Sequence, residues 1–287
     1  MMPLALALPL ALLALAANSV LVRWAVVDFA ADPGLFAIVR VASGAAVLGL
    51  LVGVRRRPSG AAPWRLAAGA LALATYMIGF SLAYRSLDTG LGALLLFGWV
   101  QVSIFAILVV RGLRPPALHW LGAAVAFAGL AWLLAPDGSQ REAEAVDLIL
   151  MSAAGIAWGL YTLLGRGAGD PVTLNAASFA LCLPLVLPLW AFASGGLAGP
   201  ALWLAVLSGA VTSGLGYALW YAIVPRLEPA VTGVAQLSVP VIATFGGVLF
   251  VGEAVTLKLI FGAALVLGGI GLSLLPDRRA KRSGAAT

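Results

Sequence analysis

Nine side chains stand out from long apolar runs because each could touch a small organic molecule: Asn18, Tyr76, Trp99, Gln101, Trp158, Tyr161, Tyr217, Gln236 and Ser238. Aromatic faces offer stacking surface, and a few amides or hydroxyls in an otherwise apolar pocket fix a ligand's orientation. An amide turned toward hydrocarbon stays unsatisfied, so Gln101 and Gln236 lean toward an interior. Trp24, Trp64, Trp120 and Tyr84 sit near run ends, where such rings anchor at the membrane interface. Trp99, Trp158 and Tyr217 fall mid-run and escape that explanation, which leaves core packing and cavity lining both open.

Other chemistry is missing. No HExxH helix, glycine-rich phosphate loop, Cys/His cluster or pair of intramembrane carboxylates occurs, so no catalysis, metal or other cofactor is expected. Cys182 is the only cysteine, which excludes an intrachain disulfide. The middles of the apolar runs carry no Asp, Glu, Lys or Arg, while Asp88, Glu228, Glu253 and Arg40 fall at or near run ends. Buried ionisable groups in membranes usually mark ion pathways or charged cargo. Their absence points to a neutral or zwitterionic metabolite and leaves proton antiport without an obvious carrier. Facilitated diffusion is then the simplest expectation.

The elements that must hold these residues follow from composition. Of 287 residues, 62% are hydrophobic and 10% charged, against about 25% charged in a soluble domain. Runs of about twenty apolar residues recur, each long enough to cross roughly 30 Å of hydrocarbon. They are continuous rather than alternating, which excludes a β-barrel. Charges, glycines and prolines divide them into ten spans, near 3–22, 34–54, 62–84, 88–111, 115–135, 145–166, 172–194, 200–224, 228–251 and 255–275. The first run lacks the positive n-region of a signal peptide and reads as a retained span. Short connections make neighbouring helices antiparallel.

The chain also repeats itself. At an offset of 140 residues, GAAVAFAGLAWLLAPD at 122–137 meets GAALVLGGIGLSLLPD at 262–277, sharing Gly122, Ala123, Ala124, Gly129, Leu134, Pro136 and Asp137. Asp32-Pro33 and Asp170-Pro171 open corresponding spans. Two five-helix units are expected, 1–137 and 138–277, with a basic cytoplasmic tail at 278–287. Five is odd, so the second unit enters the membrane inverted. This explains why the connection at 55–57 is Arg-Arg-Arg while its counterpart near 193–203 carries no charge. With both termini cytoplasmic, twelve of the seventeen basic residues lie inside, satisfying the positive-inside bias. The net charge of +6 then suits anionic lipid, with no role for nucleic acid. The expected site is the bacterial inner membrane, the expected state a monomer.

Ten helices in two inverted halves, together with Glu228-Pro229, Pro240 and Gly252-Glu253, resemble the drug/metabolite transporter superfamily. Within it the pattern is similar to EamA-type transporters, and in size and aromatic content to YddG-type aromatic amino-acid exporters. The resemblance implies spans 1, 3, 4, 6, 8 and 9 around a central cavity that the nine residues above would line, with spans 5 and 10 bracing one side. Leu113 stands where Glu253 stands in the second copy, and Asp88-Thr89 replaces Glu-Pro, so the halves are not expected to gate identically. The implied function is export of aromatic or other hydrophobic amino acids by alternating access. A broad drug or metabolite carrier is the alternative. A channel would need charge rings or a filter motif, and none occurs.

Overall fold

The computed structural model describes residues 3–55, 60–110, 112, 117–135, 144–165, 170–223, 226–227, 235–236 and 238–273, and every regular element among them is helical. The Glu228-Pro229 motif, Leu113, most of the Arg-Arg-Arg connection and the basic tail lie outside the described residues. In chain order the helices are α1 (Leu4–Asp28), α2 (Pro33–Arg55), α3 (Pro63–Ala83), α4 (Thr89–Val110) and α5 (Ala117–Leu134). They continue as α6 (Ala145–Leu164), α7 (Pro171–Val186), α8 (Gly199–Ile223), α9 (Ser238–Val251) and α10 (Leu257–Ser273). Six segments are long and apolar enough to cross a membrane: Leu4–Asp28, Pro33–Val54, Pro63–Ala83, Ala145–Leu164, Val172–Phe192 and Gly199–Ile223. Four shorter apolar helices accompany them, within α4, α5, α9 and α10.

Matching caps start α2 and α7. Asp32 Oδ1 accepts from the Gly34 and Leu35 nitrogens at 2.9 and 3.0 Å, and Asp170 Oδ2 accepts from the Thr173 nitrogen at 3.0 Å. Each carboxylate satisfies amides that have no partner inside the helix, and the proline beside it lacks the N–H that would otherwise be orphaned. After Pro184, α7 tightens into a 3-10 turn over Leu187–Phe192, carrying Pro188 in its first turn. Inside α8, Ser208–Leu215 widens into a π-helix, and α9 ends in another over Gly247–Val251.

A set of polar side chains is gathered inside an otherwise apolar core, and the outside is apolar too. Asn18, Arg40, Asp147, Asn175, Ser178, Ser208 and Ser213 are buried, while Leu50, Trp190, Phe192, Trp203, Phe245 and Leu249 are exposed. So much outward apolar surface is stable only against lipid. Interior packing relies on small residues, because lipid tails are as apolar as leucine and close backbone approach supplies the helix–helix attraction. α5 and α10 pack along their length: a Cβ at Gly129 would lie 2.7 Å from Leu265 Cβ and 2.8 Å from the Val266 nitrogen. The other large contacts pair α3 with α6, α4 with α6, α1 with α8 and with α9, α2 with α7 and α8, and α3 with α7.

At one end of the bundle the odd-to-even connections are tied together. Asp32 Oδ2 accepts from the Ser194 nitrogen at 2.9 Å, joining the α1–α2 and α7–α8 connections. Ser86 Oγ accepts from the Glu144 nitrogen at 3.1 Å, joining α3–α4 to the start of α6. Arg85 pairs with the fully buried Asp147 at 2.9 Å. Arg23, near the end of α1, makes four bonds: to Glu253 at 3.2 Å, to Asp88 at 3.1 Å and to the Tyr84 and Arg85 carbonyls at 2.9 and 3.1 Å. Glu253 also accepts from the Thr89 nitrogen at 2.9 Å and from its hydroxyl at 3.0 Å. One guanidinium thus fastens α1 to the α3–α4 and α9–α10 connections.

Candidate functional site

Asp32 sets the start of α2 at Pro33, and seven residues after that proline, about 10 Å along the helix, Arg40 turns into the bundle. The approach of α2 to α8 is close enough that only glycine fits at the crossing. A Cβ on Gly209 would strike the Arg40 carbonyl and Ser43, and one on Gly44 would meet Gly209 O at 3.0 Å. The π-helical turn widens the backbone at this crossing, a device common at functional sites, and presents Ser208, Thr212 and Ser213 inward.

Asn18 on α1 gathers these hydroxyls. Its Oδ1 lies 2.9 Å from Ser208 Oγ, 2.7 Å from Thr212 Oγ1 and 3.1 Å from Ser213 Oγ. Ser213 Oγ in turn accepts from Arg40 Nε at 3.0 Å. Arg40 Nη2 donates to the Tyr76 and Tyr217 hydroxyls at 3.1 and 3.2 Å, and those two hydroxyls are 3.1 Å apart. The guanidinium carbon also lies 4.8 Å from the centre of the Phe80 ring, within range for a cation–π contact.

Rings surround this polar centre. Trp158 stands 4.9 Å from Tyr76, 4.8 Å from Tyr217 and 5.8 Å from Tyr161, centre to centre. Tyr161 donates to Asn175 Oδ1 and meets Tyr221 edge-on at 6.3 Å. Phe80 lies 5.2 Å from Tyr76, and Phe179 lies 6.1 Å from Tyr217. The cluster draws on α1, α2, α3, α6, α7 and α8, and Tyr76, Trp158, Tyr161 and Tyr217 are all buried.

Of the nine residues singled out by sequence, Asn18, Tyr76, Trp158, Tyr161 and Tyr217 come together here. Trp99 does not: it is half-buried and faces Phe127 on α5, 6.1 Å away. Gln101 is half-buried, Gln236 is buried, and among the described residues no hydrogen bond joins either to the cluster. Ser238 Oγ donates to the Ala235 carbonyl at 2.6 Å, closing its own helical turn.

Arg40 corrects the expectation of an uncharged interior. Its run-end position suggests a headgroup contact, yet its side chain is 0% exposed. The reason is tertiary: the first turns of α2 are enclosed by α7 and α8 instead of meeting lipid. Nothing in the sequence near residue 40 announces that, because Tyr76, Ser213 and Tyr217 reach it only through folding. Ser208, Thr212, Ser213 and Asn175 were also missed, since hydroxyls and small amides in apolar helices carry little signal alone. Among the described residues no group of three or more His, Cys, Asp or Glu is placed to hold a metal ion.

A sequence profile of the EamA-like transporter family matches residues 146–275. Over 281 residues the chain is 46% identical to the uncharacterized protein PA1977 of Pseudomonas aeruginosa, covering 96% of both. The chain belongs to the EamA-like transporter family. A further relative is the threonine/homoserine exporter RhtA of Escherichia coli, 28% identical over 216 residues, or 70% of this chain and 68% of that protein. The uncharacterized transporter YwfM of Bacillus subtilis is 24% identical over 228 residues, 76% of this chain and 75% of its own. A crystal structure sharing 19% identity aligns over 94% of this chain and 98% of its own with a TM-score of 0.62, a likeness of fold alone. As an EamA-like protein the chain is a multi-pass membrane protein of a transporter family, and its buried aromatic and hydroxyl cluster is the candidate place for cargo.

Proposed function

We propose that the protein exports zwitterionic amino acids with aromatic or other hydrophobic side chains from the cytoplasm, by alternating access between two inverted five-helix halves. The observation that carries this reading is the ring cluster of Tyr76, Trp158, Tyr161 and Tyr217 packed around a hydrogen-bonding centre. Rings of this kind complement an aromatic or aliphatic side chain, and the hydroxyls complement its polar end. The similarity to YddG-type exporters in size and aromatic content points the same way.

The inverted arrangement is supported by the pattern of packing. Moving each helix five places along the chain converts α3·α6 into α8·α1, α4·α6 into α9·α1 and α2·α8 into α7·α3, all of which are real contacts, and leaves α5·α10 and α2·α7 unchanged. The bonded end, with its odd-to-even connections, is the outward one, where Arg23 and Arg85 are each neutralised by carboxylates. The Arg-Arg-Arg connection and the basic tail then fall at the cytoplasmic end, as positive-inside orientation requires. Both termini are cytoplasmic on this reading, and the membrane is the inner one.

A second reading, export of hydroxylated amino acids, is favoured by the relative named as a threonine/homoserine exporter and by the hydroxyls of Ser208, Thr212 and Ser213. Purified protein in liposomes decides between them. Uptake of labelled phenylalanine and tryptophan, outcompeting threonine and homoserine, is the expected result; preference for the latter pair selects the second reading, and uptake of cationic dyes alone rejects both. Accumulation only down the substrate gradient is expected, and accumulation driven by an imposed proton gradient would overturn facilitated diffusion.

A further inference from the structure

Arg40 has five N–H groups, of which three are bonded to Ser213, Tyr76 and Tyr217. The remaining two are on Nη1, which is buried and has no hydrogen-bond partner. No carboxylate pairs with Arg40 among the described residues: the ion pairs there belong to Arg23 and Arg85. A guanidinium stays charged at any physiological pH, and burying it without a counter-anion is among the costliest arrangements a membrane protein can hold. Bonds to one serine hydroxyl and two phenols, with a phenylalanine face, soften that cost without cancelling the charge. The other buried charges among the described residues are compensated: Arg23 has two carboxylates, Asp147 has Arg85, and Asp32 accepts from three backbone N–H groups.

We infer that Arg40 is the anchor for a carboxylate carried by the cargo, docked on Nη1 with the remainder of the molecule among the rings of Trp158, Tyr76 and Tyr217. One cation with one free nitrogen, enclosed by aromatic carbon, matches a monoanionic carboxylate; a phosphate dianion would need further donors. The inference deepens the amino-acid reading and rests on it for the direction of transport, but not for the binding chemistry. The cargo must reach Arg40 through a state in which the rings part, since in this structure Arg40, Tyr76 and Tyr217 are sealed from solvent.

The test uses the full chain in detergent, with dissociation constants measured for L-phenylalanine, 3-phenylpropanoate, which lacks the amine, and phenethylamine, which lacks the carboxylate. The expected order is tight binding of both acids and at least a tenfold loss for the amine. Arg40→Met, similar in length and uncharged, is expected to melt no lower than the wild type, because it removes an unpaired buried charge. It should lose roughly tenfold or more in affinity for both acids, while Arg40→Lys recovers part of that loss. A purely structural Arg40 would instead give a lower melting midpoint in Arg40→Met.

Phenethylamine binding the wild type as tightly as phenylalanine overturns the inference without recourse to any variant. So does unchanged acid affinity in Arg40→Met, or failure of both acids to bind the wild type. If 3-phenylpropanoate binds through Arg40 and phenylalanine does not, the carboxylate anchor stands and the amino-acid reading falls. If phenylalanine binds wild type and Arg40→Met alike, the reverse holds.

Discussion

Trp158 touches three of the rings around Arg40, so trimming it changes packing and chemistry together. Trp158→Ala is expected to cost about 3–5 kcal/mol of stability through the void it leaves, seen as an earlier melting midpoint. Trp158→Phe keeps most of the volume, so reduced phenylalanine transport per folded molecule in that variant reports on the indole. Transport unchanged in Trp158→Phe would make the residue a packing element. Sequence position alone singled out Trp158 and Tyr217, because mid-run rings have no interfacial explanation. It misplaced Arg40, because seven residues from a helix start is near lipid headgroups in a peripheral helix and deep inside one enclosed by neighbours. Trp99 illustrates the same limit: mid-run position says that a ring is within the membrane and not which neighbour it faces.

At the scale of helices, Gly122 and Gly129 on α5 and Gly262 and Gly269 on α10 each lie seven apart, two turns of helix, and so share a face, and the structure places those faces together. Gly129→Leu would drive a side chain into the Val266 backbone. It is expected to lower stability by about 1–3 kcal/mol, measurable as the loss of melting temperature, whereas Gly49→Leu, with open space around its Cβ position, should be nearly neutral. The Asp-Pro starts of α2 and α7 were equally legible, since a carboxylate before a proline is a local capping signal. The π-helical turn of α8 was not. Its small residues mark close packing, but the widened turn itself is imposed by α2 pressing against Gly209 and by Asn18 drawing three hydroxyls to one side.

Across the molecule, short connections foretold that neighbours run antiparallel, whereas the fastening of Arg23 to Glu253 joins residues too far apart in the chain to be foreseen. Against the otherwise cysteine-poor background of one buried Cys182, Arg57→Cys and Leu197→Cys should react with impermeant maleimide from opposite sides of the membrane; reaction from one side ends the inverted arrangement. Burial holds the Glu253 carboxyl above its ordinary value, against the opposing pull of Thr89 and Arg23. The native state therefore takes up that proton more readily than the unfolded chain. This group's contribution to stability is complete below the unfolded value and is lost as pH rises through the raised folded one. Glu253→Gln should remove that slope, so its melting midpoint gains on the wild type as pH climbs through this window; parallel curves would show that the carboxylate does not titrate there.

The long seam between α5 and α10 has a mechanical consequence. Two rods locked backbone to backbone cannot slide or part without losing contact along their whole length, so the proposed alternating access would leave them fixed while the other helices rock. They would be the axle of that proposed motion, and stapling the pair covalently is expected to leave cargo moving.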